Sequence, residues 1–333
     1  MLKLCLWAVL LALLIPTALF SGVDNPAESP LPAEETAPLL DRDIRFTVLR
    51  DGTVETCTMA DYLPGVLAGE MPASFSSQAL MAQAVAARTY ILHRMGSQTP
   101  AHPEAQICDD PGCCKAYADP GALQEVWEET LREAVRATDG EYLCYGAEPI
   151  EAVFHSSSPG KTESSGNIWN DRPYLDSVES PENAENVPDF VSTAAFSATE
   201  FQQLFKTRYP LIRFGDAPAE WISYLSRNNS GRVQSAVIGD TTLSGAEIRA
   251  VLGLRSTYFS VDYAEDTFTF TVTGYGHGVG MSQYGAEVYA RQGLSYREIL
   301  AHYYPGTELT TTGGLCPQTN RARTWYSSEC AAR

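Results

Sequence analysis

Four short stretches hold the residue types able to carry chemistry. In the first, Gly69-Glu70-Met71-Pro72 follows the apolar run Val66-Leu67-Ala68. A carboxylate between small and apolar neighbours loses hydration, which favours its protonated form, the condition for a general acid. The same residues also fit a surface glutamate before a helix, favoured there by the helix dipole. In the second, His102, Cys108, Cys113 and Cys114 fall within thirteen residues of a Pro/Gly/Asp loop. Imidazole and thiolate at that density suit zinc, although His-x5-Cys-x4-Cys-Cys is not a standard finger spacing. A disulfide among the three cysteines is the alternative outside the cytoplasm. Neighbouring Cys113 and Cys114 rarely pair with each other, and they reach one metal only through a tight turn.

The third stretch, His155-Ser156-Ser157-Ser158, sets a histidine beside three serines. No glycine-flanked nucleophile elbow surrounds them, so a serine-rich turn with a structural histidine fits better than a nucleophile. The fourth is the densest: Gly274 to Ala286 carries five glycines within twelve residues. Glycines there permit unusual backbone angles and close approach to a ligand, and His277, Ser282, Gln283 and Tyr284 offer polar groups where a helix begins. A phosphate loop is excluded, because Gly-Lys-Ser/Thr is absent. A tight strand-to-helix turn is the plainer reading, but it needs fewer glycines. Arg88 stands seven residues after Met81 and four after Ala84, on an apolar helix face. A buried guanidinium demands a partner, either in a core salt bridge or as a hand on a catalytic carboxylate or sugar oxygen.

The elements that must position these groups follow from periodicity. A hairpin is expected from Ile44–Leu49 and Thr53–Thr58 around Arg50-Asp51-Gly52. The spacing of Leu80, Ala84, Ala87 and Ile91 predicts a helix over 76–95, alanine-rich enough for close packing. Further helices are expected at about 122–138, 198–207, 244–252, 281–291 and 295–302, with strands at 142–154 (turning near Gly146) and 267–275. This mixed order indicates an α+β fold rather than a doubly wound sheet: a two-lobed ectodomain with a cleft, preceded by a single N-terminal membrane-spanning helix. The boundaries are a signal anchor at 1–22, an acidic Pro-rich linker at 23–43, a folded domain at 44–310 with an inserted lobe at about 183–256, and a tail at 311–333.

The anchor rests on residues 4–20, an uncharged apolar run behind Lys3, followed by Asp24, Glu28, Glu34 and Glu35 with no Lys or Arg until Arg42. That charge asymmetry places the rest of the chain outside the cytoplasm, and bulky Phe20 favours a retained anchor over a cleaved signal. The chain has 333 residues, about two domains at one per ~150. Hydrophobic residues at 44% exclude a disordered chain. With 23 Lys and Arg against 41 Asp and Glu, the net charge of −18 argues against nucleic acid as a partner. A polyanionic substrate must be gripped locally or arrive with its charge removed.

In chain order, these pieces resemble the stage II sporulation protein D family, which includes the amidase-enhancer group. The resemblance rests on Tyr62-Leu63-Pro64-Gly65-Val66 through Gly69-Glu70-Met71-Pro72 and on Gln83-Ala84-Val85-Ala86-Ala87-Arg88-Thr89-Tyr90. It continues through Phe154-His155-Ser156-Ser157-Ser158, Gly160-Lys161-Thr162, Trp169, Pro173-Tyr174-Leu175 and His277 to Ala286. Pro159 stands where the family often has glycine. The resemblance implies a membrane-anchored lytic transglycosylase that cuts peptidoglycan glycan strands during sporulation, preferring strands stripped of stem peptides. Glu70 would be the single catalytic acid/base, and no cofactor would be needed for the chemistry. It also implies a structural zinc on His102, Cys108 and Cys114, with Cys113 at a position that is often histidine. A cell-wall amidase and other membrane-bound engulfment proteins are the implied partners. The rival expectation is a non-catalytic peptidoglycan-binding enhancer of an amidase, whose relatives typically carry extra wall-binding repeats.

From these motifs, His277, Ser282, Gln283 and Tyr284 are expected to share one cleft with Glu70. Tyr284 would stack on a sugar ring, and Arg88, His155, Ser156, Ser157 and Tyr174 would complete the substrate-binding rim, Arg88 orienting Glu70.

Overall fold

The computed structural model describes residues 39–96 and 101–312. The expected anchor and most of the linker lie outside the described residues, as do Cys316 and Cys330. Among the described residues no helix is long and apolar enough to cross a membrane. Among the described residues, seven α-helices and small, mostly antiparallel sheets make a mixed α+β fold around two hydrophobic cores.

The first core begins with the expected hairpin. β1 (Arg45–Arg50) pairs with β2 (Thr53–Thr58) from Arg45↔Thr58 to Arg50↔Thr53. Asp51 and Gly52 both take positive φ, 47° and 77°, the geometry that matches a two-residue turn to the strand twist. β3 (Ile107–Cys108) adds in parallel to β1, which carries Cys108 to the sheet. Next comes a helix that the sequence reading leaves out, α1 (Met59–Glu70), capped by the Thr58 side chain and holding Pro64 inside. Pro64 removes one helical N–H, but the helix is held by burial of Met59, Tyr62, Leu63, Val66 and Leu67. Glu70 therefore ends a helix rather than preceding one, at the end where the dipole disfavours a carboxylate.

α2 (Ser77–Met95) runs as expected and is buried at Leu80, Ala84, Ala87 and Ile91. Burial on almost every side is what an apolar, alanine-rich helix requires. Around it pack α3 (Glu125–Ala137), β4 (Glu141–Tyr145), α6 (Gln283–Arg291) and α7 (Tyr296–Tyr303). The strand expected at 142–154 breaks at Gly146 and Ala147, both at positive φ. It becomes β4, β5 (Glu148–Pro149) and β6 (Phe154–His155).

Arg88 is fully buried and closes on Asp41 through Nε at 2.7 Å and Nη2 at 2.6 Å, with a further bond from Nη1 to the Glu141 carbonyl at 2.9 Å. This corrects the expectation that Arg88 lines the substrate rim. Its guanidinium is spent on a core ion pair that ties the segment before β1 to the end of α3, because an unpaired buried charge would be far costlier.

The second core holds α4 (Ala198–Arg208) and α5 (Gly245–Leu252) against two three-stranded sheets. One sheet is β8 (Ile222–Arg227), β9 (Val233–Ile238) and β10 (Thr241–Ser244). In the other, β12 (Thr267–Thr273) lies between β7 (Val191–Ser197) and β11 (Phe259–Ala264). This core reaches Val272, past the expected lobe limit of 256, because β12 pairs on both sides. β12 then leads into the glycine-rich loop. The loop ends in β13 (Met281–Ser282), which pairs in parallel with β6 of the first core. β14 (Glu308–Thr311) closes the first core on β4.

Arg88→Met and Asp41→Leu should each cost about 3–5 kcal/mol of unfolding free energy, measured by urea denaturation. The double variant should cost less than either single change. A double variant as damaged as the sum of the two would show that the pair is not coupled.

Candidate active site

Glu70 is half-buried, and two groups from distant parts of the chain hold its carboxylate. The Ala116 N–H donates to Oε1 at 3.0 Å, and Gln283 Nε2 donates to Oε2 at 3.4 Å. The first bond needs Gly69: a Cβ there would lie 2.8 Å from the Tyr117 nitrogen. Lys115, 4% exposed, lies with Nζ 3.8 Å from the Tyr90 ring centre and 3.7 Å from that of Phe154. Burial pushes its ammonium down to about 8, while the nearby charge of Glu70 pulls the other way. The groups attending Glu70 are thus an amide, a backbone N–H and an ammonium. None is a carboxylate.

The glycine-rich loop lies against the same place. His277 is pressed down to about 3, first by burial and then by the charges of Arg249 and Lys115. Its Nδ1 accepts from the Val279 N–H at 3.1 Å. Gly278 has φ 87°, and a Cβ on it would stand 2.5 Å from the Arg232 guanidinium carbon. Three aromatic rings border this region. Trp169, half exposed, lies 5.2 Å from the His277 ring. Tyr275 is exposed under Arg255, and Tyr284 meets Phe75 edge-on at 5.1 Å, five residues beyond Glu70. Flat apolar faces with polar tips are suited to sugar rings.

Of the expected site residues, Gln283 touches Glu70, His277 shares Lys115 with it, and Tyr284 packs beside the turn that follows it. Others serve the frame. His155 is buried beneath His277, 5.7 Å ring to ring. Its Nδ1 donates to the Val279 carbonyl at 3.2 Å, and Nε2 pairs with the Ser158 hydroxyl at 2.6 Å. Burial first, then the charges of His277 and Arg232, holds it well below the usual histidine range. Both nitrogens are occupied, so His155 supports the loop and does not stand on the rim. Ser156 offers its carbonyl to the Tyr284 N–H at 3.0 Å, and buried Ser157 pairs through its backbone with Tyr275. Ser282 is buried, caps α6 and donates to Glu182. Tyr174 is 7% exposed, with its hydroxyl taken by the Glu151 N–H at 3.3 Å. His155, Ser157, Ser282 and Tyr174 are corrected for one reason: all four are buried, and buried polar groups must be satisfied internally, whereas Ser156 stays half-buried.

The sequence reading assigns no role to Lys115, Arg232, Arg249 or Glu182, and gives Trp169 none beyond its place in a motif. The one local signal for Lys115 is a lone cation directly after a cysteine pair.

His102, Cys108, Cys113 and Cys114 place one donor atom each, all within 4.8 Å of one another. The tight turn that adjacent cysteines need is present: the N–H groups of Cys113 and Cys114 both donate to the Asp110 carbonyl, at 3.0 and 2.8 Å. His102 Nδ1 donates to the Ala105 carbonyl at 2.9 Å and turns Nε2 toward Cys114 Sγ at 3.2 Å. An outer carbonyl fixing the tautomer is how a metal-ligating imidazole is oriented, so the donor set fits a metal. The cysteines among the described residues are free thiols. Because Cys114 precedes Lys115 and Ala116, this quartet also anchors the strand of chain that reaches Glu70.

A sequence model of the family described as Stage II sporulation protein matches residues 50–145, a span with both Glu70 and the His/Cys quartet. Stage II sporulation protein D of Bacillus subtilis is 37% identical over 267 residues, covering 78% of this chain and 76% of that protein. Its namesake in Bacillus amyloliquefaciens is 35% identical over 326 residues, covering 90% and 92%. The protein named Amidase enhancer of Bacillus subtilis is 30% identical over 308 residues, 75% of this chain but 40% of its own length.

His277 and His155 both have folded values below the ordinary 6.5, so between those values the unfolded chain binds more protons. Stability is therefore complete above about pH 6.5 and falls as pH drops toward 3, with each histidine adding up to about one proton to the slope. His277→Asn should lower that slope by about one proton in urea titrations at stepped pH. A His277 ring signal that titrates near 6.5 by NMR would contradict the packing described.

Proposed function

The chain belongs to the stage II sporulation protein D family, and on that premise we propose that it is a peptidoglycan lytic transglycosylase with Glu70 as its one acid/base. The observation that carries this reading is a single carboxylate attended by an amide, an N–H and an ammonium, with no second carboxylate among them. Hydrolysis by the usual route takes two carboxylates. One suffices when the substrate supplies the nucleophile. Protonated Glu70 would donate to the oxygen linking N-acetylmuramic acid to N-acetylglucosamine as the bond to C1 breaks. The carboxylate left behind, favoured by Lys115 and held by Ala116 and Gln283, would take the proton of the muramyl 6-hydroxyl as that oxygen bonds to C1. The products are a 1,6-anhydromuramyl end and a free N-acetylglucosamine hydroxyl, and Glu70 is protonated again.

Trp169, Tyr275 and Tyr284 would stack the strand in a cleft between the two cores. In this reading the substrate is a glycan strand stripped of stem peptides, met during engulfment, and a cell-wall amidase supplies it. In this reading the expected anchor at 1–22 holds the chain in the cell membrane with Glu70 on the outer face. His102, Cys108, Cys113 and Cys114 would hold one zinc as a closed, four-ligand structural site. The metal would neutralise the thiolates and brace the segment bearing Lys115 and Ala116, with no part in cleavage. The similarity to the Amidase enhancer supports a second reading, binding without cleavage.

Glu70→Gln in the full-length chain should remain folded and lose anhydromuramyl products by about 10²–10⁴-fold, as read by mass spectrometry of amidase-treated glycan strands. Wild-type chain that binds strands yet yields no anhydro ends would favour the enhancer reading.

Metal analysis of the purified chain should find about one zinc, and Cys108→Ser should lower the melting temperature. A zinc-free protein with a disulfide mapped among these cysteines would refute the metal site.

A further inference from the structure

α3 packs on α2 but leaves a groove of about 800 Å³ open along one side. Met81 of α2 and Val126, Thr130 and Ala137 of α3 line it with apolar and small side chains. Those three positions of α3 stand four and seven residues apart, so they fall on one stripe of the helix. Val126 is 60% exposed. One exposed valine needs no explanation, but a continuous apolar groove offers a place to bury the side chains of another segment. The rim is acidic, with Glu125, Glu129 and Glu133 standing along it a turn apart. Among the described residues Arg136 is the one cation paired with Glu129 and Glu133, and none is paired with Glu125.

The groove ends beside the place where residues 313–333 continue from the described fold. Thr312 donates its N–H to the Gly140 carbonyl at 3.0 Å and its hydroxyl to the Leu39 carbonyl. Gly140 stands three residues past Ala137. In a chain of net charge −18, residues 313–333 carry Arg321, Arg323 and Arg333 against Glu329 alone. Arg321-Ala322-Arg323-Thr324-Trp325 sets two guanidiniums and an indole on alternate residues. Alternate residues of an extended segment share a face about 7 Å apart, and successive turns of a helix rise by about 5.4 Å. Read from the Gly140 end, Arg321, Arg323 and Trp325 therefore match Glu133, Glu129 and Val126 in order. The nine residues from Thr312 to Arg321 can span up to about 30 Å. At the helical rise, Gly140 to Glu133 is only about 10 Å.

We propose that residues 321–325 dock in cis along this groove, with the two arginines on the acidic rim and Trp325 over Val126 and Met81. Charge selects this occupant. Residues 24–35, which precede Leu39, carry four carboxylates and no cation. A second copy, itself at −18, is repelled as it approaches an acidic rim. Docking covers the apolar stripe and braces α3 against α2. The inference stands apart from the glycan-cleaving reading and does not depend on it.

The test places p-benzoylphenylalanine at position 325 of the full-length chain in place of Trp325. After irradiation, the cross-linked peptides are mapped by mass spectrometry. An equal mixture of light and heavy-nitrogen chains separates links within a chain from links between chains. The expected product joins residue 325 to the 125–137 stretch of the same chain. Arg321→Glu with Arg323→Glu should cut its yield about fivefold, the worth of two exposed ion pairs. Adding Glu129→Arg with Glu133→Arg should restore the yield; both glutamates are exposed, and a thermal melt checks that the fold is kept. Links only to other parts of the chain, links only between chains, or no link at all overturns the proposal. A yield that the arginine reversals leave unchanged overturns it as well.

Discussion

The site depends on one buried carboxylate. Glu182 is 3% exposed and accepts from the Ser158 N–H, the Ser180 hydroxyl and the Ser282 hydroxyl. Those three donors come from the serine run after β6, from the turn before Glu182, and from the start of α6. Two-residue strands such as β6 and β13 cannot hold a register by themselves. The carboxylate fixes it, because each donor left unpaired in the interior would cost about 1–3 kcal/mol. With that register set, Gln283 follows Ser282 into reach of Glu70, and Tyr284 is tied by its N–H to the Ser156 carbonyl.

Glu70 itself is placed by shape. α1 presents Gly65 and Gly69 one turn apart, and a Cβ at either would collide with Tyr117 or its backbone. The segment from Cys114 to Tyr117 thus lies directly on the helix and brings an N–H and an ammonium to its last residue. That segment leaves the His/Cys quartet within one residue. A structural metal there would act on the carboxylate through position, and loosening it would move Lys115 and Ala116 together.

The electrostatics of the loop differ from those of the chain as a whole. The chain carries −18, yet the histidines of the loop are kept uncharged by burial and by cations around them. A neutral imidazole is a poor proton donor, which leaves the proton to Glu70. The second core contributes to these electrostatics through Arg232 and Arg249. Its two sheets therefore do more than carry the glycine loop to the first core.

The sequence by itself determined what near neighbours encode. The 3.6-residue period of 77–95, the Asp-Gly turn of the first hairpin and the alternation along β12 all lie within a few residues. The His/Cys quartet is equally local, thirteen residues long, so both its membership and its tight turn were within reach. α1 stayed hidden because Pro64 reads as a helix breaker while the burial that overrides it comes from distant partners. Only the tertiary structure decided that Arg88 would meet Asp41, that Ala116 and Gln283 would hold Glu70, and that cations from three segments would bear on His277. The bonds of Arg88 to Asp41 and of Ala116 and Gln283 to Glu70 join residues 46 to 213 positions apart. A side chain's type records that it needs a partner. Which partner it finds is settled by packing, where every buried polar group competes for the same few donors and acceptors.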